Sequence, residues 1–211
     1  MSEITEYFKT DGDEYLRLLL GHIGISAMSV LLAMAIAIPL GVLIYRSAIG
    51  RVIAERFFGL LRIVPSLAIL ILLIPVMGTG VKPSVVALTI LAIPPILMNT
   101  VQAFLSVPAS MVEAAIGMGM DARQVFFKIK LPLAFSLMYA GIRTAVVEVI
   151  ASATLASYIG AGGLGDLIFT GLALLSYNLL IIGGGSVAIL SLLTGFILDR
   201  LYKRATRYQR P

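Results

Sequence analysis

Five apolar stretches, each long enough to cross a bilayer as a helix, constrain this chain more than any other feature. A hydrocarbon core of about 30 Å needs about 20 mostly apolar residues in helical form. The stretches 18–45, 57–77, 84–105, 133–159 and 178–198 all meet that length. Composition agrees: 59% of the 211 residues are hydrophobic and 13% are charged, about half the charged share of an ordinary soluble domain. The expected fold class is therefore an all-α membrane protein with five transmembrane helices. A further apolar piece, 167–175, is too short to span and reads as a re-entrant or interfacial segment.

The charges predict sidedness. With five spans, Arg46, Arg51, Arg56 and Arg62, then Arg123, Lys128 and Lys130, fall on one side, joined by Arg200, Lys203, Arg204, Arg207 and Arg210 of the tail. Only Lys9, Arg17 and Lys82 lie on the other, and Arg143 lies within the fourth span. Cytoplasmic loops collect the cations, so the N-terminus is expected outside and the C-terminus in the cytoplasm. The net charge of +5 then reflects topology anchors and implies no nucleic-acid partner. The expected organisation is an extracytoplasmic tail over 1–17, a membrane domain over 18–200 with a cytoplasmic loop at 106–132, and a basic cytoplasmic tail over 201–211. That tail anchors the topology or binds anionic lipid. The acidic N-terminal segment lacks the basic start of a secretory signal and reads as part of the mature protein. Absence of cysteine removes disulfides and thiolate metal sites, and the single histidine, His22, leaves no basis for a histidine metal site or catalytic triad. Prolines at 39, 65, 75, 94 and 95 predict bent helices. Gly183 to Gly185 and the small residues 151–157 predict close helix approach.

The stretch EAAIGMGMDARQVFFKIKLP, 113–132, interrupts this apolar background. Ser110 and Glu113 have the spacing of a capping box, and Gly117 and Gly119 are expected to end the short helix it starts. Asp121 and Gln124 offer a second box. In the helix that follows, Ala122, Val125, Phe126 and Ile129 share one apolar face, opposite Arg123, Gln124 and Lys128, and Pro132 is expected to break it. The pattern predicts a helix–turn–helix on the cytoplasmic face. By itself it fits both an amphipathic helix resting on lipid and a ridge offered to a partner.

The spacing of Glu113-Ala114-Ala115, three residues, Gly119, nine residues and Ile129-Lys130-Leu131-Pro132 resembles the EAA loop of bacterial ABC-importer permeases. The resemblance implies a coupling helix, 110–129, seated in a cleft of a cytoplasmic ATPase, with Glu113 near the contact and Gly119 making the turn. Ser110, Ala114, Ala115, Asp121, Val125, Phe126, Ile129, Leu131 and Pro132 complete the implied coupling set. A second match narrows the family. LASYIGAGGLGDLIFTGL (155–172) and RIVPSLAILILLIPVMGTG (62–80) resemble permease subunits of osmoprotectant importers, which carry glycine betaine, carnitine or choline. The likeness runs over about 18–200 and implies the five-span core of the MetI-like type I importers in a bacterial cell membrane. A methionine or phosphonate permease of similar shape is the nearest alternative, and an ATP-independent channel or assembly factor is the alternative of another class. GAGGLG follows a membrane span, so it does not read as a nucleotide fingerprint. Gly160, Gly162, Gly163 and Gly165 are expected to give a tight turn beside an outer gate. No Gly-Lys-Ser/Thr sequence occurs, and no pairing of carboxylates or metal ligands points to catalysis. ATP and Mg are accordingly expected on two copies of a partner ATPase, with no cofactor in this chain. The resemblance also implies a second permease subunit, identical or paralogous, and a separate extracytoplasmic binding protein.

Glu148 departs from the otherwise neutral run expected before ATLAS. An ionisable group within a span is by default a functional candidate. It fits contact with the pathway, an ion pair with Arg143 or a water-exposed site. Asn99 is a second pathway candidate, or with Gln102 a hydrogen-bonding bridge between helices. Tyr139, Tyr158 and Tyr177 offer cation–π contact to a quaternary ammonium. His22 is expected as a satisfied interfacial group.

Overall fold

The computed structural model describes residues 2–206; Arg207 and Arg210 of the basic tail lie outside the described residues. A short helix α1, Ser2–Thr10, precedes the long α2, Gly12–Ile44. Helices α3, Ala48–Leu61, and α4, Ser66–Met77, lead to α5, Val81–Leu105. The loop carries α6, Ala109–Gly117, and α7, Ala122–Gln124. A π-helical turn, Val125–Lys130, joins α7 to α8, Leu131–Ala156. After the outer glycine loop come α9, Gly165–Ala173, and α10, Tyr177–Ala205. Among the described residues four helices are long and apolar enough to cross a membrane, or five if α3 and α4 count as one broken span.

That break corrects the expected second span. Residues 57–77 do not form one helix: α3 and α4 meet at 91°. Pro65 has no backbone N–H and disfavours helical backbone at Val64, and it takes an extended conformation ahead of Ser66. Hydropathy continues through this point, but the backbone does not. Pro39, Pro75, Pro94 and Pro95, by contrast, sit inside continuous helices. The apolar piece after the glycine loop is the nine-residue α9, packed on α10.

The core forms where α2, α5 and α8 touch. Ala33, Ala37, Ala87, Leu88, Ala92, Leu97, Ala145 and Ala153 are all buried there. In lipid, helix association rests on close van der Waals packing, which small residues permit. At Gly141 of α8, an added Cβ would lie 2.5 Å from Asn99 Cβ and 2.7 Å from the Pro95 carbonyl of α5. At Gly41 of α2 it would lie 2.9 Å from Thr100. Ser29 Oγ donates to the Ile25 carbonyl, and Thr89 Oγ1 donates to the Val85 carbonyl, so these hydroxyls are satisfied within their own helices. Gly183 alone of its triplet meets a neighbour, Ile168 and Leu167 of α9. Many large apolar side chains of α2 and α10 face outward, among them Leu31, Leu192 and Phe196, as lipid contact requires.

Candidate functional site: the coupling loop and the charged face of α8

The loop folds as two short helices around a defined turn. Met120 N–H donates to the Ala115 carbonyl and Gly119 N–H to that of Ile116, the bond pair of a glycine-terminated helix end. Gly119 takes φ +82°, which a side chain resists. The second helix opens on a full capping box: Gln124 N–H donates to Asp121 Oδ1 at 2.8 Å, and Asp121 N–H donates to Gln124 Oε1 at 3.1 Å. The first expected box is absent. Pro108, extended at φ −60° and ψ 130°, is the residue before α6, so the helix starts ahead of Ser110 and leaves it inside the first turn without a capping bond.

The apolar ridge also differs from expectation. Val125 is buried, Phe126 and Ile129 are half-buried, and only Ala122 of that face is exposed. The face is turned inward, and its Phe126 packs onto α5 and the end of α2. Phe126 stacks on Phe104, which stacks on Tyr45. Exposed instead are Glu113 and Ala114, with the large side chains Met111, Ile116, Met118 and Phe127. Ala115 is buried at 1%. Nor does Pro132 break the helix. The preceding turn is π-helical, with Leu131 N–H reaching the Phe126 carbonyl, and α8 continues without interruption. A widened turn relieves the clash between a proline ring and the carbonyl one turn back, so the chain passes Pro132 rigidly. Leu131 and Pro132 are both half-buried at this junction. A groove of about 600 Å³ lies between Tyr45, Val112, Ile116, Met120, Phe126 and Lys130.

The second cluster lies along α8. Glu148 stands about 25 Å along the helix from Leu131, at 1.5 Å per residue. It pairs at 3.8 Å with Arg62, the residue at the α3–α4 break, and not with Arg143. Arg62, expected among the loop cations, is thus beside a span. Together they flank a cavity of about 410 Å³ whose wall includes Pro65, Ser66, Leu91 and Pro94. Arg143 bridges to Asp199 of α10, Nε 2.6 Å from Oδ1 and Nη2 donating to Oδ2 at 2.9 Å. Tyr139 donates from its hydroxyl to the Leu198 carbonyl and stacks on Tyr202, reinforcing the same α8–α10 contact. Asp199 was not singled out by the sequence reading; its signal is a carboxylate at the end of an apolar run. Asn99 does not line the cavity beside Glu148: its Nδ2 donates to the Pro95 carbonyl at the α5–α8 crossing. Gln102 is exposed.

The glycine loop closes the far end. Gly160, Gly162 and Gly163 all take positive φ, and an added Cβ at Gly165 would lie 2.1 Å from the Thr154 carbonyl. Gly80 N–H donates to the Ile159 carbonyl, tying the start of α5 to this loop. Tyr158 is exposed and tilted over Phe169, and Tyr177 is exposed. His22 is interior, not interfacial: it is 1% exposed, its Nε2 donates to the Ile150 carbonyl at 3.0 Å, and Gly163 packs beside it.

A helical membrane core of four or five spans, with a capped helical loop on one face and charged groups along an inner helix, fits the membrane subunit of a transporter. The chain belongs to the family of binding-protein-dependent transport system inner membrane components, whose model matches residues 33–207. It is 42% identical over 206 residues to the carnitine transport permease protein OpuCB of Listeria monocytogenes, covering 98% of this chain and 94% of that one. It is 38% identical, over 98% of this chain and 95% of the other, to the choline transport system permease protein OpuBB of Bacillus subtilis. Among solved structures, the inward-facing MetNI methionine ABC transporter superposes with a TM-score of 0.78 at 24% identity, covering 91% of this chain and 96% of that one. The fold is that of the MetI-like importer permeases, and the chain is a multi-pass protein of the cell membrane.

Proposed function

We propose that this chain is the membrane-spanning subunit of an ATP-driven importer for quaternary-amine compatible solutes such as glycine betaine, carnitine or choline. The observation that carries this is the likeness, along nearly the whole chain, to permeases named for carnitine and choline. The chain acts without catalysis: ATP and Mg are held by two copies of a cytoplasmic ATPase, and an extracytoplasmic binding protein delivers the solute. A second permease subunit completes the pathway, because half-exposed charges along α8 are costly against lipid and need water or protein opposite them. The N-terminus lies outside, and the coupling loop and C-terminus lie in the cytoplasm, following the positive-inside bias.

The mechanism follows from the rigidity of the loop. Exposed Glu113, Ala114 and Ile116 meet the ATPase. When the ATPase closes on ATP, the loop moves as a unit, because the capping box and the glycine turn fix its shape. The unbroken passage through Pro132 and the stack of Phe126 on Phe104 carry that motion into α8 and α5. The pathway alternates between outward and inward access, with ATP and the loaded binding protein each favouring one of the two states. Gly160 to Gly165 form a tight outer closure beside Gly80.

The test is ATP hydrolysis and uptake in liposomes holding the chain, its ATPase, its binding protein and any second permease. Glycine betaine, carnitine or choline is expected to stimulate both, and Glu113→Lys to abolish the stimulation. Stimulation by methionine alone would overturn the substrate class. Failure of the ATPase to associate would overturn the importer reading.

A further inference from the structure

Among the described residues, two ion pairs lie along the membrane domain, and they differ in kind. Arg143 and Asp199 are in direct contact, one hydrogen bond at 2.9 Å beside an ionic approach of 2.6 Å, and together they fasten α8 to α10. Arg62 and Glu148 stand 3.8 Å apart, beyond hydrogen-bonding distance, with side chains 56% and 47% exposed. Their cavity is bounded on the other side by Leu91 and Pro94. One loose pair of opposite charges and a largely apolar wall therefore surround a cavity of about 410 Å³.

We infer that Arg62 and Glu148 form a station in the pathway selective for zwitterions, the solute carboxylate going to Arg62 and its quaternary ammonium to Glu148. This rests on the quaternary-amine reading above and sharpens it. The planar guanidinium fork matches a carboxylate in two hydrogen bonds, which a point charge does not. A quaternary ammonium has no N–H and is held by charge and apolar contact, which Glu148, Leu91 and Pro94 supply. Entry of a zwitterion replaces one loose protein pair by two protein–solute pairs, so every charge keeps a partner. Entry of a simple cation such as choline takes Glu148 and leaves Arg62 without an opposite charge beside a span, where that is costly. The station accordingly favours betaines over choline. Arg143 has no such role, because its pair with Asp199 is already closed by a direct hydrogen bond.

Equilibrium dialysis of radiolabelled glycine betaine and choline, against the permease pair and ATPase in nanodiscs, gives the ratio of the two affinities. Arg62→Gln is expected to lower the glycine betaine to choline ratio about tenfold, and Glu148→Gln to raise it. A bridge that serves only structure shifts neither ratio, whatever it does to yield or Tm. Should Arg62→Gln fail to fold, Arg62→Lys, which keeps the charge and loses the fork, is expected to lower the ratio about threefold. Uptake by the wild type in liposomes with its binding protein separates the two readings. No uptake of any quaternary amine overturns the substrate class, and this inference with it. Uptake with unchanged ratios, or with neither solute bound in the nanodiscs, overturns the station alone.

Discussion

Phe126 of the coupling loop lies face to face with Phe104 of α5, ring centroids 5.5 Å and planes 5° apart, and Phe104 stacks in turn on Tyr45 at the end of α2. Lys130 stands 5.8 Å over the same Tyr45 ring. Three segments far apart in sequence are thus joined at the base of the bundle by aromatic contact. The two phenylalanines belong to one small core with Ala103, Ala134 and Met138. A displacement of the loop therefore presses directly on α5, the most enclosed helix of the bundle.

Replacing Phe126 by alanine is expected to uncouple the transporter. Aromatic pairs contribute about 1 kcal/mol beyond their buried area, and the lost ring also leaves a void. ATPase association is expected to persist, because Phe126 is not on the exposed face, while solute-stimulated hydrolysis falls about tenfold. Measured in liposomes, Phe126→Leu is expected to lie between. Loss of ATPase association in Phe126→Ala would place this side chain in the partner contact instead.

The Arg143–Asp199 bridge gives a stability prediction. Asp199→Asn leaves a guanidinium without its counter-charge beside a span, at a cost on the order of 2 kcal/mol for a half-exposed site. At about 3 °C per kcal/mol for a chain of this size, Tm in detergent is expected to fall by about 6 °C. Exchanging the charges, Arg143→Asp with Asp199→Arg, is expected to recover part of it. An Asp199→Asn variant as stable as the wild type would make the bridge incidental.

The parts of this architecture readable from sequence are those a single segment decides by itself. A run of apolar residues spans a bilayer whatever surrounds it, and Asp121 caps its helix through Gln124 alone. Gly119, Gly160, Gly162 and Gly163 announce positive φ by residue type. Whatever depends on a second segment was not legible. Periodicity groups Val125, Phe126 and Ile129 on one face but is silent on which surface covers it; the answer, Phe104, lies on another helix. Pro108 shifted the start of α6 and displaced Ser110 from the cap it was expected to supply. The Arg62–Glu148 and Arg143–Asp199 pairs join residues 86 and 56 positions apart, across helices whose packing no local pattern encodes.

The outer loop predicts a sharp difference between glycines. Gly165→Ala would set a methyl 2.1 Å from the Thr154 carbonyl and 2.4 Å from Ser157 Oγ, a clash with backbone that no side-chain movement relieves. It is expected to abolish folding or membrane yield. Gly163→Ala combines positive φ with a contact of 3.1 Å to His22 and is expected to cost about 1–3 kcal/mol. Gly24→Ala, where the methyl meets nothing within 4 Å, is expected to be neutral. Size-exclusion profiles of the three variants in detergent are enough to check the order.

The exposed face of the coupling loop predicts which substitutions sever the ATPase and which only damage the fold. Met111, Ile116, Met118 and Phe127 are all at least half exposed, whereas Val125 is buried at 5%. A hot-spot side chain at the centre of an interface carries about 2 kcal/mol or more, roughly thirtyfold in affinity. Ile116→Asp places a charge on that face and is expected to weaken ATPase association by about that factor, with Tm unchanged. Val125→Asp buries a charge within the loop, beside Val112 and Phe126, and is expected to lower Tm before any effect on association is seen. Ala122 serves as the control, being exposed on the face that otherwise turns inward. Association measured by pull-down of the ATPase, beside Tm of the permease alone, separates the two classes. If Ile116→Asp destabilised the chain while Val125→Asp spared it and released the ATPase, the inward and outward faces of this helix pair would have to be exchanged.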